Sequence, residues 1–423
     1  MTATETASGA AAGRTDPIPD LDLADPDPAR TPGIDALLAG LRRDRAVFWH
    51  GPKSRPGFWA VLGYEATLKV YRDSATFSAA HGMTLDTLRA ERDPAGGLML
   101  EVTDPPEHRR LRRSVAGIFA DGIVATLTPQ IDRYARDLLV RIRDGGTEID
   151  FAEAVAARIP THAAGLLLGL PPEDLDWITE RTALVFLSGG PADAGVDQRA
   201  AAEQANGELL GYFARLLRRV RPGSGAETFV QRLAAGTGKR DALSTGEVVL
   251  NALNVAIGGT TTTRSALTNL MEALIRYPAV FAALRAGPEA VPAAVEEAVR
   301  WGNPVRHLAR VATRDVQLAG APVRAGDPVV VWPRSANRDE AVFARPETFD
   351  PHRHPNPHLG FAAGTHGCPG TALGRAQLRA VLRHTVDLFG GAEAAGPAEL
   401  IRSNFLHGYA HLPVRFTTGH LFT

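Results

Sequence analysis

The sequence predicts a mainly α-helical fold with a small β region, built as one large domain. Three observations carry this expectation. Apolar residues recur at helical spacing from Pro106 to about Val220. A longer helical pattern runs from Ser244 to Tyr277. Strand-like pieces broken by Gly and Pro are confined to "FWHGPKSRPGFWAV" (48–61), to residues 307–332 and to "LPVRF" near the end. No shift in composition marks a linker, although 423 residues alone would allow two or three domains of roughly 150 each.

Taken in order, residues 1–30 open with "MTATETASGAAAGRTDPIPD", which is small, polar and acidic. They read as a disordered tail, not a signal peptide, and leave a domain over 31–423. "HGMTLDTLRAERDPAGGLML" (81–100) has little periodicity and reads as a long loop with about one turn of helix, of the kind that serves as a lid. The helical stretches that follow are "EHRRLRRSVAGIFA", "PQIDRYARDLLVRIRD", "FAEAVAARIPTHAAGLLLGL", "PEDLDWITERTALVFL" and "AAAEQANGELLGYFARLLRRVR". "SGGPADAGVD" (188–197) interrupts the last two. Ser244 and Glu247 have the spacing of a capping box, and Pro278 stops the helix that they begin, about 50 Å later. A final helix is expected from about Pro369 to Phe389.

Composition excludes several function classes. With 22% charged residues and a net charge of −1, there is neither a polybasic footprint for nucleic acid nor an acidic tail. A single cysteine cannot form an internal disulfide. The longest apolar run, "AAGLLLGL", is far short of the roughly 20 residues that span a bilayer. The expected location is the cytoplasm.

The lone cysteine is the informative residue. Cys368 stands in "GFAAGTHGCPG" (360–370), at the mouth of the last helix. Unpaired N–H groups and the positive end of a helix favour a thiolate, the form that binds metals. Gly364, Gly367 and Gly370 let the backbone approach something flat, and Pro369 fits the first helical position. Such a residue is also compatible with a buried structural thiol. Zinc is a further alternative, given His352, His354, His358 and His366, although their spacing lacks the paired pattern of structural zinc sites.

The whole string resembles the haem-binding loop of the cytochromes P450, F-G-x-G-x-H-x-C-x-G. Phe361, Gly364, His366, Cys368 and Gly370 match, and Ala362 stands where the family usually has Gly. Three further stretches support the resemblance. "EEAVR" places Glu297 and Arg300 as in the family's E-x-x-R pair, which Arg353 completes as a structural triad. "DPPEHRRLRR" matches D-P-P-E-H-x-x-x-R. Through it the resemblance implies that His108 and Arg112, joined by Arg310 and His366, hold the haem propionates. "AIGGTTTTRSAL" is similar to the oxygen-activating groove of the long helix: Gly258 and Gly259 match, Thr262 takes the place of the family's alcohol, and Thr261 replaces its acid. Glycines and β-branched threonines at mid-helix oppose helix formation, so a local opening there is expected.

The resemblance implies the P450 fold, with haem b between the long central helix and the helix behind the cysteine loop, and iron on the Cys368 thiolate. It implies a monooxygenase of the soluble bacterial type, acting with O2 and a ferredoxin-type electron donor on a small-molecule substrate, in the tailoring of a specialised metabolite. Oxidative coupling or nitration of an aromatic substrate, and a haem sensor without turnover, are the alternatives. Loss of the acid at Thr261 implies an altered proton path, with Thr262 organising delivery. By family position the pocket is lined by Met83, Leu98, Met99, Leu184, Leu187, Asn254, Val255, Val305, His307, Phe405, Leu406 and His407. Arg109, Arg110, Arg113, Arg375 and Arg379 are expected to form a basic patch that steers an acidic donor.

Overall fold

The computed structural model describes residues 21–25, 33–51, 56–89, 91–119, 121–186, 196–219, 229–231 and 243–417. Its first helices are α1 (Ile34–Asp44), α2 (Tyr64–Arg72), α3 (Glu107–Ala116), α4 (Asp121–Gly145), α5 (Arg158–Leu168), α6 (Leu175–Phe186) and α7 (Val196–Arg219). Then come α8 (Thr245–Arg276), α9 (Pro278–Ala286), α10 (Val291–Gly302), the short α11 (Pro333–Ala336) and α12 (Thr371–Leu388). The mainly helical expectation holds.

The long helix α8 begins as its sequence dictates. Ser244 Oγ accepts from the Glu247 N–H at 3.3 Å, and the Glu247 carboxylate accepts from the Ser244 N–H at 2.6 Å. Its 32 residues span about 48 Å and pack against α5, α6 and α7 as well as α10 and α12. The helix stays continuous through Gly258–Thr263, so the expected opening does not occur. Thr260, Thr261 and Thr262 each donate instead to the carbonyl four residues back, at 2.8, 2.8 and 2.6 Å.

Strands β1 (Val47–His50), β2 (Phe58–Val61) and β3 (Phe77–Ser78) join β5 (Leu308–Ala312) and β8 (Pro328–Val331) in a sheet of order β1-β2-β8-β5-β3. Within it β2 and β8 run parallel, with Trp59 opposite Val329. Antiparallel β5 places Arg310 opposite the same Val329. The hairpin of β6 (Val316–Leu318) and β7 (Ala321–Val323) follows β5. Strand β4 (Glu148–Asp150) pairs with the terminal strand Pro413–Thr417, which also pairs with Gly391–Ala394.

Two expectations change. Residues 21–25 are not part of a tail: Leu21, Leu23 and Ala24 are buried, and the Leu23 N–H donates to His50 Nε2 at 3.2 Å. The rest of the expected tail lies outside the described residues, as does 188–197 apart from Val196 and Asp197, which open α7. Helix α4 begins eight residues before Pro129 and runs through it. Proline inside a helix costs about 3 kcal/mol. Here the buried stripe of Val124, Ile131, Ala135, Leu138 and Leu139 continues across it and offsets that cost.

Candidate active site

The loop before α12 is folded so that Cys368 faces inward. The Cys368 N–H donates to Phe361 O at 2.9 Å and the Gly367 N–H to Gly364 O at 3.1 Å. Gly364 has φ +69, and a Cβ there would come within 2.5 Å of the Tyr71 carbonyl oxygen, so only glycine fits. Ala362 has φ +54, a left-handed conformation that is costly for alanine. This gives a physical reason for the glycine that the resemblance expects at that position.

Cys368 is exposed, but toward a cavity of about 540 Å³. Burial among protein atoms pushes its thiol pKa up, against the pull of the Gly370 N–H, the Thr371 hydroxyl and the charge of Arg112. The Gly370 N–H at the helix mouth favours the thiolate but does not by itself secure it against burial. A bound metal cation would, because coordination deprotonates a thiol.

The same cavity is lined by His108, Arg112, Arg310 and His366. His108 is buried with no partner on either ring nitrogen, and His366 Nε2 is likewise unpartnered. The two rings lie 4.4 Å apart. Arg112 donates to Gly367 O at 2.6 Å and Arg310 to Ala309 O at 2.7 Å. No carboxylate among the described residues hydrogen-bonds any of the four. Burial, with the neighbouring arginines, holds His108 down at about 4 and His366 at about 2. Enclosed donors without acceptors are costly. A ligand bearing two carboxylates satisfies them, which is the demand that haem propionates meet.

From the other part of the lining, α8 presents Gly258, Gly259 and Thr262. A Cβ at either glycine would meet nothing within 4 Å, so these positions leave open space beside the backbone. The donor set and this space fit a haem.

A family model described as cytochrome P450 matches residues 217–393. The chain is 36% identical to cytochrome P450 NovI of Streptomyces niveus, over 94% of this chain and 96% of that one. The chain belongs to the cytochrome P450 family. It is 30% identical to linalool 8-monooxygenase of Pseudomonas putida, over 93% of this chain and 98% of the relative. P450 OxyD, which is involved in the biosynthesis of vancomycin-type antibiotics, superposes with a TM-score of 0.83 at 35% identity, covering 94% of this chain and all of that one. The protein is thus a P450 monooxygenase with the mainly helical P450 fold.

The remaining expectations can be placed on this P450. Glu297 and Arg300 are fully buried and share two bonds of 2.7 and 2.8 Å, and Arg353 Nε reaches Glu297 at 3.0 Å. The triad is therefore formed. Met83, Met99, Asn254, Val255, Val305, Phe405, Phe361 and Gly370 line the cavity. Thr261 does not. One residue turns a helix by about 100°, and its hydroxyl is committed to Ile257 O. Thr263 lines the cavity instead.

Among the other pocket expectations, Leu98 is 39% exposed at the surface. On α6 it is Val185, not Leu184, that reaches the cavity, and Leu187 lies outside the described residues. His307 is saturated: its Nε2 accepts from the Leu85 N–H at 2.9 Å and its Nδ1 bonds Asn404 O at 3.0 Å. Leu406 is used in a bridge to Val305. His407 does not line the cavity, and burial, with the charge of Arg334, holds it well below the ordinary histidine range.

The basic patch is thinner than expected. Arg110 is paired with Glu107 and Glu247, and Arg375 makes two 2.6 Å bonds to Glu296 while stacking on Phe361. Arg109, Arg113 and Arg379 are exposed. No cluster of three or more metal-ligating side chains occurs among the described residues, and His358 bonds Glu296 at 3.1 Å, so zinc has no site there.

Two cavity residues escaped the sequence reading. Tyr71 is buried with an unpartnered hydroxyl, pushed up by burial and within the field of Arg310. Glu101 is a carboxylate in the cavity wall. Neither belongs to a motif, and only their placement in space marks them.

Proposed function

We propose that this P450 inserts one oxygen atom from O2 into a small organic molecule in the tailoring of a bacterial specialised metabolite, fed by a ferredoxin-type donor. One observation carries the reading: a single cavity presents Cys368, a set of basic side chains with unanswered donors, and the Gly258–Gly259–Thr262 face of α8. The likeness to OxyD supports the metabolic setting. Exposed Arg109, Arg113 and Arg379 offer positive charge for an acidic donor.

Bound haem supplies the activation of dioxygen, and a thiolate ligand favours O–O cleavage. The chain's residues do the rest. Cys368 would hold the iron, with the Gly370 N–H favouring the charge on its sulfur, while the Thr371 hydroxyl donates to the Cys368 carbonyl oxygen at 2.8 Å. His108, Arg112, Arg310 and His366 hold the two propionates, with the Tyr71 hydroxyl as a further donor. The Thr262 hydroxyl donates to Gly258 O at 2.6 Å, which leaves its oxygen lone pairs as acceptors toward the cavity. A water bonded there can pass a proton onward, so the path does not require a carboxylate at 261. Ala164, Leu167 and Ile257 keep the adjoining wall apolar and restrict other water.

Purified protein is expected to contain equimolar haem b. With ferredoxin, reductant and isotopically labelled O2 it should yield a product carrying one labelled oxygen. Colourless protein, or consumption of O2 with water and peroxide as the only products across a substrate panel, would overturn the proposal.

A further inference from the structure

We propose that the substrate carries an amine, and that Glu101 together with Asn254 holds its ammonium group two helical turns from Thr262. The inference rests on the haem-thiolate reading of the cavity and names the substrate class for it.

Glu101 belongs to the turn Leu100–Val102, which is anchored on α8. The Leu100 N–H donates to Asn251 Oδ1 at 3.0 Å, and Asn251 Nδ2 donates to Leu98 O at 2.9 Å. Three residues along the same helix, the Asn254 side chain lies beside the Glu101 carboxyl and favours its ionised form. Both residues line the cavity. No Arg, Lys or His among the described residues forms an ion pair with Glu101.

The chemistry of the pair is one-sided. With the carboxyl ionised, an Asn254 N–H turned to it would leave Oδ1 as an acceptor. Asp93, also in the lining, adds a second negative charge nearby. Two acceptors and a carboxylate that no described cation ion-pairs, with Arg310 acting on it only through its field, match an ammonium group, which has three donors and no acceptor. Burial, with the charge of Asp93, pushes the Glu101 carboxyl up to about 7 against the opposing pull of Asn254 and Arg310.

Position separates this role from proton delivery. Asn254, Gly258 and Thr262 are spaced i, i+4 and i+8 on one helical face, so about 12 Å of axis lies between the first and the last. Glu101 is therefore no direct proton partner for Thr262. That spacing suits a small molecule held by its amine at one end and oxidised at the other, with its apolar body against Leu253, Ile257 and Val185.

The test uses the holoenzyme and ω-phenylalkylamines of two to four methylenes, each against its isosteric alcohol, with binding read from the Soret band. At least one amine is expected to bind about tenfold or more tightly than its alcohol, with the blue shift that marks loss of axial water. In Glu101→Gln that preference is expected to fall to within about twofold, while imidazole, which ligates iron directly, binds as in the parent. Asn254→Leu is expected to weaken the same preference. Absence of any amine preference in the parent overturns the proposal, as does a red shift from nitrogen on iron, or a preference that survives Glu101→Gln. Tighter binding of the alcohols would instead assign Glu101 as a protonated donor to neutral substrates. A parent that binds imidazole normally but ignores amines removes only this inference. A parent without the carbon monoxide band of sulfur ligation removes the cavity reading itself.

Discussion

The wall of the cavity that carries Cys368 and the wall formed by residues 81–103 with α8 are built on different plans. Around the cysteine the chain is tied at close intervals. Gly364 fits under the Tyr71 carbonyl, Arg112 holds Gly367, Arg375 stacks on Phe361 and locks Glu296, and the Glu297–Arg300–Arg353 triad is buried. The facing segment is irregular, held by scattered bonds to Asn251, His307, Ala309 and Asn404, and presents side chains such as Met83, Met99 and Glu101 to open space. A ligand wall tied at so many points fixes one geometry. A wall without regular structure leaves its cavity-facing side chains to set which molecule fits.

That contrast predicts where substitutions hurt most. Glu297→Ala strands two buried guanidinium groups, and losing one partner of a buried ion pair costs about 3–5 kcal/mol. Little folded, haem-loaded protein is expected from it, whereas Glu101→Gln should load haem normally; equal yields would erase the distinction. On the α8 side, Thr262→Ala is expected to raise the fraction of electrons lost as peroxide by roughly tenfold, because it removes the proposed proton relay. Thr261→Val should leave that fraction near the parent's, since its hydroxyl is committed to Ile257 O and faces away from the cavity. The reverse ranking would return the catalytic role to Thr261.

Arg310→Leu is expected to speed haem loss to a haem-scavenging globin by about tenfold, the scale of one hydrogen bond to a charged group, without moving the Soret band. The haem-free chain should lose stability as pH falls from 6.5 toward 4. His108 takes up its proton readily when unfolded, while burial holds it at about 4 when folded. Haem should blunt this loss by giving the ring an anionic partner, and His108→Phe should blunt it in the haem-free chain. The smallest effect is expected from Ala362→Gly. It relieves a left-handed alanine and should stabilise by up to about 1 kcal/mol, read as a slightly higher Tm.

The two walls were also unequally legible in the sequence. Residues of the ligand wall are held by backbone demands and buried charge, which write short strings such as "FAAGTHGCPG" and "EEAVR". Their roles in space could be anticipated, as could the capping box of α8. The substrate wall leaves no such strings. Val185 rather than Leu184 reaches the cavity because of helix rotation, which apolar spacing on a helix buried on several sides does not settle. His307 and His407 look like substrate-binding residues in sequence, yet one is saturated by Leu85 and Asn404 and the other lies outside the cavity lining. Pro129 conceals the true start of α4 because tertiary packing of Val124 and Ile131 outweighs a local penalty. Tyr71 and Glu101 become visible only once the fold brings distant segments to one cavity.

The central claim is that the Cys368 sulfur ligates haem iron. The most direct measurement is the difference spectrum of the dithionite-reduced protein with and without carbon monoxide, for the parent and for Cys368→Ala. The parent should show the long-wavelength Soret band diagnostic of thiolate ligation, and the variant should lack it. No such band in haem-loaded parent protein, or the same band in both proteins, would contradict the account.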